Sequence, residues 1–499
     1  MSKDVTAYLS KSLFMRGIQC PKSLYLNKYH PEWRDEISED QESLFQSGAE
    51  VGLLARELFP GGIEISYDGL SYKDQLQETQ KAINTGIQTL YEATFSYDNI
   101  FVKNDLLHLG NKGWELYEVK MKTELTEVYL NDVALQYYVA KGSGLPIQKA
   151  FVVYINNQYV RKGAIDPAKL FVVEEVTKKV AEKQDLVKEE INMLRRMLSG
   201  KEPEVAIGKQ CNDPYACDFI GHCWEHVPDD SVFDLRGRGT SPFDLYQQGY
   251  LDLKEVPRDL LAESQKFQLD AFLNQEDVFN SDGVKDFLKT LWYPLYFLDF
   301  ETINSPIPPF NGTRPYQQIP FQYSLHYLEK ENGNLGHHEF LADPSSDFRG
   351  ELLQSLCDQI PSTACILAYY ASFEKICLQN LADWFPNYKD KVEGFIENLR
   401  DMAIPFRSRD VYHWEMKGSY SLKTVLPCLL PELTYSNLEI QDGGMAMNSF
   451  QTLSETRDLE ETANLRQALL EYCRLDSLAM VKILEKLQEK CQVGLIKKK

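Results

Sequence analysis

No stretch of this 499-residue sequence approaches the roughly 20 consecutive apolar residues that a membrane-spanning helix requires. Residues 1–14 are polar and interrupted where a secretory leader would carry its apolar segment. These absences predict a soluble, cytoplasmic protein with no membrane partner. Positive charge is in deficit as well: 53 Lys and Arg face 74 Asp and Glu, a formal charge of −21. That balance argues against a protein that coats nucleic acid through bulk attraction for phosphate, while local basic patches and metal-binding carboxylates remain compatible with it. Internal repeats and low-complexity tracts are missing. Cysteine is modest at ten residues, and Cys357, Cys365, Cys377, Cys428, Cys473 and Cys491 have no partner at ligand spacing, so they read as reduced core thiols.

What is present supports packed domains. Apolar residues make up 43% and aromatics 12%, and the length predicts two or three domains. A helix opens at Cys20-Pro21, because proline suits a first helical turn. A second is predicted over 41–58, stopping before Pro60-Gly61-Gly62. β-branched and aromatic runs at 99–107, 114–120 and 150–155 predict a small mixed sheet, and a charged amphipathic helix follows over 177–198. After Trp224 the composition shifts, and Val227-Pro228-Asp229-Asp230 and Gly237-Arg238-Gly239 read as linker. Residues 227–285 read as a small helical module, either a packing spacer or a hairpin against nucleic-acid backbone. Strands are predicted over 294–302, 321–328 and 366–370, then a long helix over 465–487 and a solvated tail of three lysines. The expected class is α/β, with domains at 1–226, 227–285 and 286–499.

Two constellations carry chemistry. In the first half, Asp105 precedes Glu118-Val119-Lys120. Residues two apart on a strand share a face, so Glu118 and Lys120 point the same way. Two carboxylates suit a hard divalent cation, Mg²⁺ or Mn²⁺, and the amine would orient water or stabilise charge developing at phosphorus. A lone Glu-x-Lys is ordinarily an exposed surface pair; the preceding Asp and the buried-looking strands set this one apart. Glu92 is a candidate third acid, and Gln136 a candidate contact to substrate or metal. Cys20, Cys211, Cys217 and Cys223 bracket the constellation, and four thiolates predict a metal staple. The spacing lacks the C-x2-C of most zinc ribbons; an iron–sulfur cluster tolerates such irregularity, and zinc remains the alternative. In the second half, Asp299 and Glu301 end an apolar strand, Glu374 follows another, and Tyr472 stands one helical turn before Asp476. Four acids suit metal-assisted phosphodiester hydrolysis, with Tyr472 orienting the attacking water.

Phe14-x-x-Gly17-x-x-Cys20-Pro21, Asp105, Glu118-Val119-Lys120, Gln136 and the three later cysteines resemble RecB-like PD-(D/E)XK nucleases over residues 1–226. The similarity is to the iron–sulfur branch, which includes CRISPR adaptation nucleases and AddB-type recombination nucleases. It implies a restriction-endonuclease-like domain with a 4Fe-4S cluster on Cys20, Cys211, Cys217 and Cys223. Where that family often carries a metal-binding His, this sequence has Gly52, with Glu50 as the nearest substitute. Residues 290–485 resemble the DEDD exonuclease superfamily in its tyrosine-bearing subclass, on a ribonuclease H-like fold. Glu374 stands where that family usually has Asp, and Tyr370 where Asn is frequent; Asp401-Met402 matches a further pair, read as structural. The resemblances imply a two-site DNA nuclease with 3′–5′ exonuclease activity on single strands or free 3′ ends, in repair or defence against foreign DNA. RNA as the substrate, or a cluster-stapled binding protein without catalysis, are the alternatives.

Overall fold

Two mixed sheets, each covered by helices, organise the computed structural model, which describes residues 9–66 and 68–492. The terminal lysines lie outside the described residues. The protein is α/β and divides into two units. One comprises the chain to His226 together with Ser305–Tyr316; the other comprises Val227–Asn304 and the chain from Gln317 onward.

In the first unit, seven strands form one sheet: β1 (Leu9–Ser10), β2 (Ile63–Glu64), β3 (Thr89–Tyr97), β4 (Ile100–Gly110), β5 (Gly113–Lys120), β6 (Ile147–Ile155) and β7 (Phe171–Glu175). Their order is β2-β3-β4-β5-β6-β7, with β1 parallel to β4. β3, β4 and β5 run antiparallel; β5 and β6 are parallel, and the helix Glu127–Gly142 lies between them in the chain. Before the sheet come α1 (Lys11–Gln19), α2 (Pro21–Tyr29) and α3 (Glu39–Ala55). The Ser10 hydroxyl caps α1 by accepting from Leu13 N–H, and Cys20 is the extended residue between α1 and α2. The helix expected over 177–198 is two helices, Thr177–Glu182 and Gln184–Leu198. Between them, Lys183 donates to Asn131 Oδ1 at 2.9 Å.

The second unit contains β8 (Val278–Phe279), β9 (Leu295–Ile303), β10 (Ile319–Leu328), β11 (Gly336–Leu341), β12 (Cys365–Ala368), β13 (Leu399–Asp401) and β14 (Val411–Tyr412). Five of them form a sheet in the order β11-β10-β9-β12-β13, in which β9, β12 and β13 are parallel and β10 is antiparallel to both neighbours. Strand alternation divides β9. Tyr296, Leu298 and Phe300 enter a core with Leu352, Leu378 and Phe395, while Asp299 lies on the face that meets the long helix Leu459–Cys491. Residues 227–285 belong to this unit and carry their own apolar cluster, including Val232, Leu245, Leu253 and Leu269.

Candidate functional site

β9 and β12 are adjacent and parallel, and the chain leaves them in opposite directions, toward β10 and β11 on one side and toward β13 on the other. That is a topological switch point, where the carboxyl ends of strands open a crevice in α/β sheets. Asp299 and Glu301 lie toward the carboxyl end of β9. Glu374 sits in the first turn of the helix Ser372–Trp384, which follows β12. Tyr472 and Asp476 come from the helix Leu459–Cys491. Glu301, Glu374, Tyr472 and Asp476 are all buried.

The electrostatics of this group are one-sided. Burial, then the charges of Asp476, Glu301 and Glu374, push Asp299 well above the carboxylate range. Glu301 is raised by burial and by Asp476. Burial pushes Glu374 up to about 8 and Asp476 up to about 6. Among the described residues no Lys, Arg or His forms an ion pair with any of the four; Lys423 acts on Glu301 and Asp476 only at longer range, from over the rings of Tyr435 and Tyr472. Glu374 Oε2 is buried without a hydrogen-bond partner. Four acids with an unmet need for positive charge, one of them with an orphaned oxygen, fit hard divalent cations. The hydroxyl of Tyr435 donates to Asp476 at 2.5 Å, and Tyr472, one helical turn before Asp476, is held well above its usual range by burial and by the charges of Asp476, Glu301 and Asp299. Cys473 Sγ lies 3.4 Å from Asp299 Oδ2, so this thiol touches the acids as well as the core. Asp401 accepts from Tyr370 N–H at 3.1 Å and holds Tyr370 in a left-handed backbone (φ 60) ahead of Glu374. Asn adopts that backbone more readily than Tyr.

The first unit also collects its predicted residues, with a different charge balance. Asp105 lies on β4 and accepts from Val119 N–H at 2.7 Å, and Glu118 and Lys120 end β5. Lys120 Nζ lies 2.6 Å from Glu118 and 2.7 Å from Asp132; Lys11 Nζ lies 2.9 Å from Glu118 and 3.7 Å from Asp132. Burial, then Asp105 and Asp132, push Glu118 up to about 7 against the pull of the two lysines. Burial also raises Asp105, whereas for Asp132 the lysines outweigh burial and hold it well below the usual range. Gln136 is fully buried and donates to Glu118 at 2.6 Å and to Asp132 at 2.9 Å while accepting from Asn104. Its amide is therefore occupied by protein groups and sets the position of Glu118. Glu92 has positive φ in the middle of β3 and occupies, with Asp105, the one unpaired rung between β3 and β4. Glu50 is exposed on α3, and nothing lies within 4 Å of a side chain built at Gly52.

Cys20, Cys211, Cys217 and Cys223 line one pocket with Ser23, Ile207 and Phe219, and all four are free thiols. The protein closes this pocket with polar bonds. Arg16 pairs with both oxygens of Asp218, Arg34 Nε lies 2.8 Å from the same carboxylate, and Gln19 donates to Gln210 O and Tyr215 O. No three of the sulfurs lie within 4.8 Å of one another. Around one zinc ion, at Zn–S distances near 2.3 Å, they would be about 3.8 Å apart. The sulfurs are thus spread farther than a single zinc ion would hold them.

Lys11, Asp132, Tyr435 and Lys423 were not legible as site residues. Asp132 had a signal, since it stands one helical turn before Gln136 and shares its face. Lys11 and Tyr435 arrive from distant segments with no local pattern.

With this geometry, the class defined is an α/β protein bearing a buried four-carboxylate site and a separate four-thiol pocket. Residues 296–421 match a family model described as Domain of unknown function (DUF2779). The match includes Asp299, Glu301 and Glu374 and ends before Tyr472 and Asp476. The chain is 27% identical over 248 residues to an uncharacterized protein of Mycoplasma pneumoniae, the MG366 homolog, covering 44% of this chain and 37% of that protein. It is likewise 27% identical over 242 residues to the uncharacterized protein MG366 of Mycoplasma genitalium, covering 45% and 36%. The chain thus spans little more than a third of the curated relatives it matches.

Proposed function

We propose that this chain is a metal-dependent, cytoplasmic nuclease whose second unit, a ribonuclease H-like domain of the tyrosine-bearing DEDD type, removes nucleotides from 3′ ends of DNA. The observation that carries this reading is the convergence of Asp299, Glu301, Glu374 and Asp476, without a cationic partner, at the switch point of a mixed sheet. These four would hold Mg²⁺ or Mn²⁺, which when bound supplies an acidified water and charge neutralisation at the phosphate. Tyr472, buried one helical turn from Asp476, orients the water, and Cys473 and Tyr435 hold Asp299 and Asp476 in place.

In the first unit the same reading makes Asp105, Glu118 and Lys120 a second nuclease site on a RecB-like PD-(D/E)XK domain. The spacing of the four thiols supports a 4Fe-4S cluster over zinc. A second interpretation concerns this unit alone. Lys11 and Lys120 already neutralise Glu118 and Asp132, and Gly52 offers no ligand, which favours a cluster-stapled nucleic-acid-binding domain without its own catalysis.

The deciding experiment incubates end-labelled single- and double-stranded DNA and RNA with anaerobically purified protein and Mn²⁺. A ladder from the 3′ end that disappears in Asp299→Ala supports the second-unit site. Residual cleavage lost in Glu118→Ala assigns activity to the first unit. Absence of cleavage on every substrate overturns the enzymatic reading.

A further inference from the structure

A third group of ligating side chains lies in the second unit, built from residues outside the four-acid site. β8 and β14 form a ribbon only two residues long, pairing Val411 with Phe279 and Tyr412 with Val278. Just beyond it Asp277 and His413 meet, with His413 Nε2 3.5 Å from Asp277 Oδ1. His413 Nδ1 accepts from Glu415 N–H at 3.2 Å, so the ring proton sits on Nε2, toward Asp277. Glu415 follows in the short helix Trp414–Met416, and Cys428 comes from the helix Leu422–Leu429. One imidazole nitrogen, a Glu415 oxygen and Cys428 Sγ all lie within 4.8 Å of one another, and His413 Nδ1 is 3.7 Å from Glu415 Oε2. Among the described residues, neither Glu415 nor Asp277 has a Lys or Arg ion-pair partner, and His413 lies beside both carboxylates.

We propose that His413, Glu415 and Cys428 form a Zn²⁺ site, with Asp277 orienting the imidazole. An imidazole nitrogen, a thiolate and a carboxylate are ligands that select zinc over magnesium. Metal–ligand distances of about 2.0–2.3 Å set tetrahedral ligands about 3.3–3.8 Å apart, so the observed group closes on one ion by small side-chain shifts. The ion takes the Nδ1 lone pair from Glu415 N–H, while Asp277 keeps the Nε2 proton, the carboxylate–histidine–metal arrangement that fixes tautomer and ring direction. Three protein ligands leave a fourth position for water. A two-residue ribbon has little stability of its own, and the ion pins its open end to the helix that carries Cys428.

The test uses the full chain, reduced and stripped of metal, alkylated with N-ethylmaleimide with and without micromolar Zn²⁺. The rate is read on the Cys428 peptide by mass spectrometry, so metal bound at Cys20, Cys211, Cys217 and Cys223 does not register. Zn²⁺ is expected to slow Cys428 alkylation about tenfold or more, because a metal-bound thiolate is withdrawn from attack. Mg²⁺ is expected to have no effect. Protection is lost in His413→Ala and in Glu415→Gln; Glu415 is exposed, so its replacement leaves the fold intact should the histidine variant misfold. Equal rates with and without Zn²⁺, or protection that survives Glu415→Gln, overturn the site.

Discussion

Half-buried Asp299 and buried Glu118 are both acids raised by their surroundings, yet their neighbours demand opposite experiments. Around Asp299 the neighbours are further acids, so the metal-free second unit holds protons that the unfolded chain releases. The folded values of about 6 for Asp476 and about 8 for Glu374 lie above those of the unfolded chain, near 4. Between those limits the folded state binds more protons, so stability is greatest below the unfolded value and falls as pH rises toward 8. Urea unfolding of the metal-free protein is expected to show a loss on the order of a few kcal/mol from pH 5 to pH 8. Saturating Mn²⁺ should abolish that loss, and Asp299→Asn should reduce it while blunting the response to metal. A metal-free midpoint that does not move with pH contradicts the one-sided charge balance. Around Glu118 the deficit is filled by Lys11 and Lys120. Asp132→Ala leaves the half-buried Lys11 and Lys120 sharing Glu118 alone and is expected to cost on the order of 1–3 kcal/mol in the same measurement.

Helix packing in the first unit turns on Gly17. A side chain there would come within 2.7 and 2.8 Å of the Leu194 methyls and 2.8 Å of Leu24 Cδ2, so α1 approaches α2 and the helix Gln184–Leu198 through a bare backbone. Gly17→Val should destabilise the protein by about 2 kcal/mol or more by overpacking, read as a lower urea midpoint. Elements of this kind mark where the sequence was readable. The strands bearing Asp105, Glu118 and Asp299 were legible because their runs are rich in β-branched and aromatic residues. α1 was not, because Leu13, Phe14 and Ile18 sit among polar residues and only the Ser10 cap marks the start. β3 was missed for a related reason: its nine residues alternate weakly, and Glu92 breaks the ladder from within. The break at Lys183, whose N–H bonds Val180 O only three residues back, leaves no mark in the helical pattern.

At the scale of the whole chain, the composition pointed to more than one unit, and the change after Trp224 coincides with the division at His226. The assignment of Ser305–Tyr316 to the first unit was invisible, because nothing in a loop's sequence says which core it joins. The thiol pocket makes the units separately testable. Cys20→Ala should raise amide hydrogen exchange across the first unit while leaving the β9–β12 sheet protected, and iron chelation should have the same effect. Equal loss of protection in both units would mean that they unfold together. The pocket also constrains how the protein comes into being. Its thiols are Cys20 and then Cys211, Cys217 and Cys223, so a nascent chain emerging from the ribosome carries the first thiol for most of the unit's synthesis before the other three appear. Under the proposed 4Fe-4S reading, Cys20 has no cluster to bind throughout that interval, and closure of the first unit would wait on delivery of iron and sulfide after Cys223 has emerged.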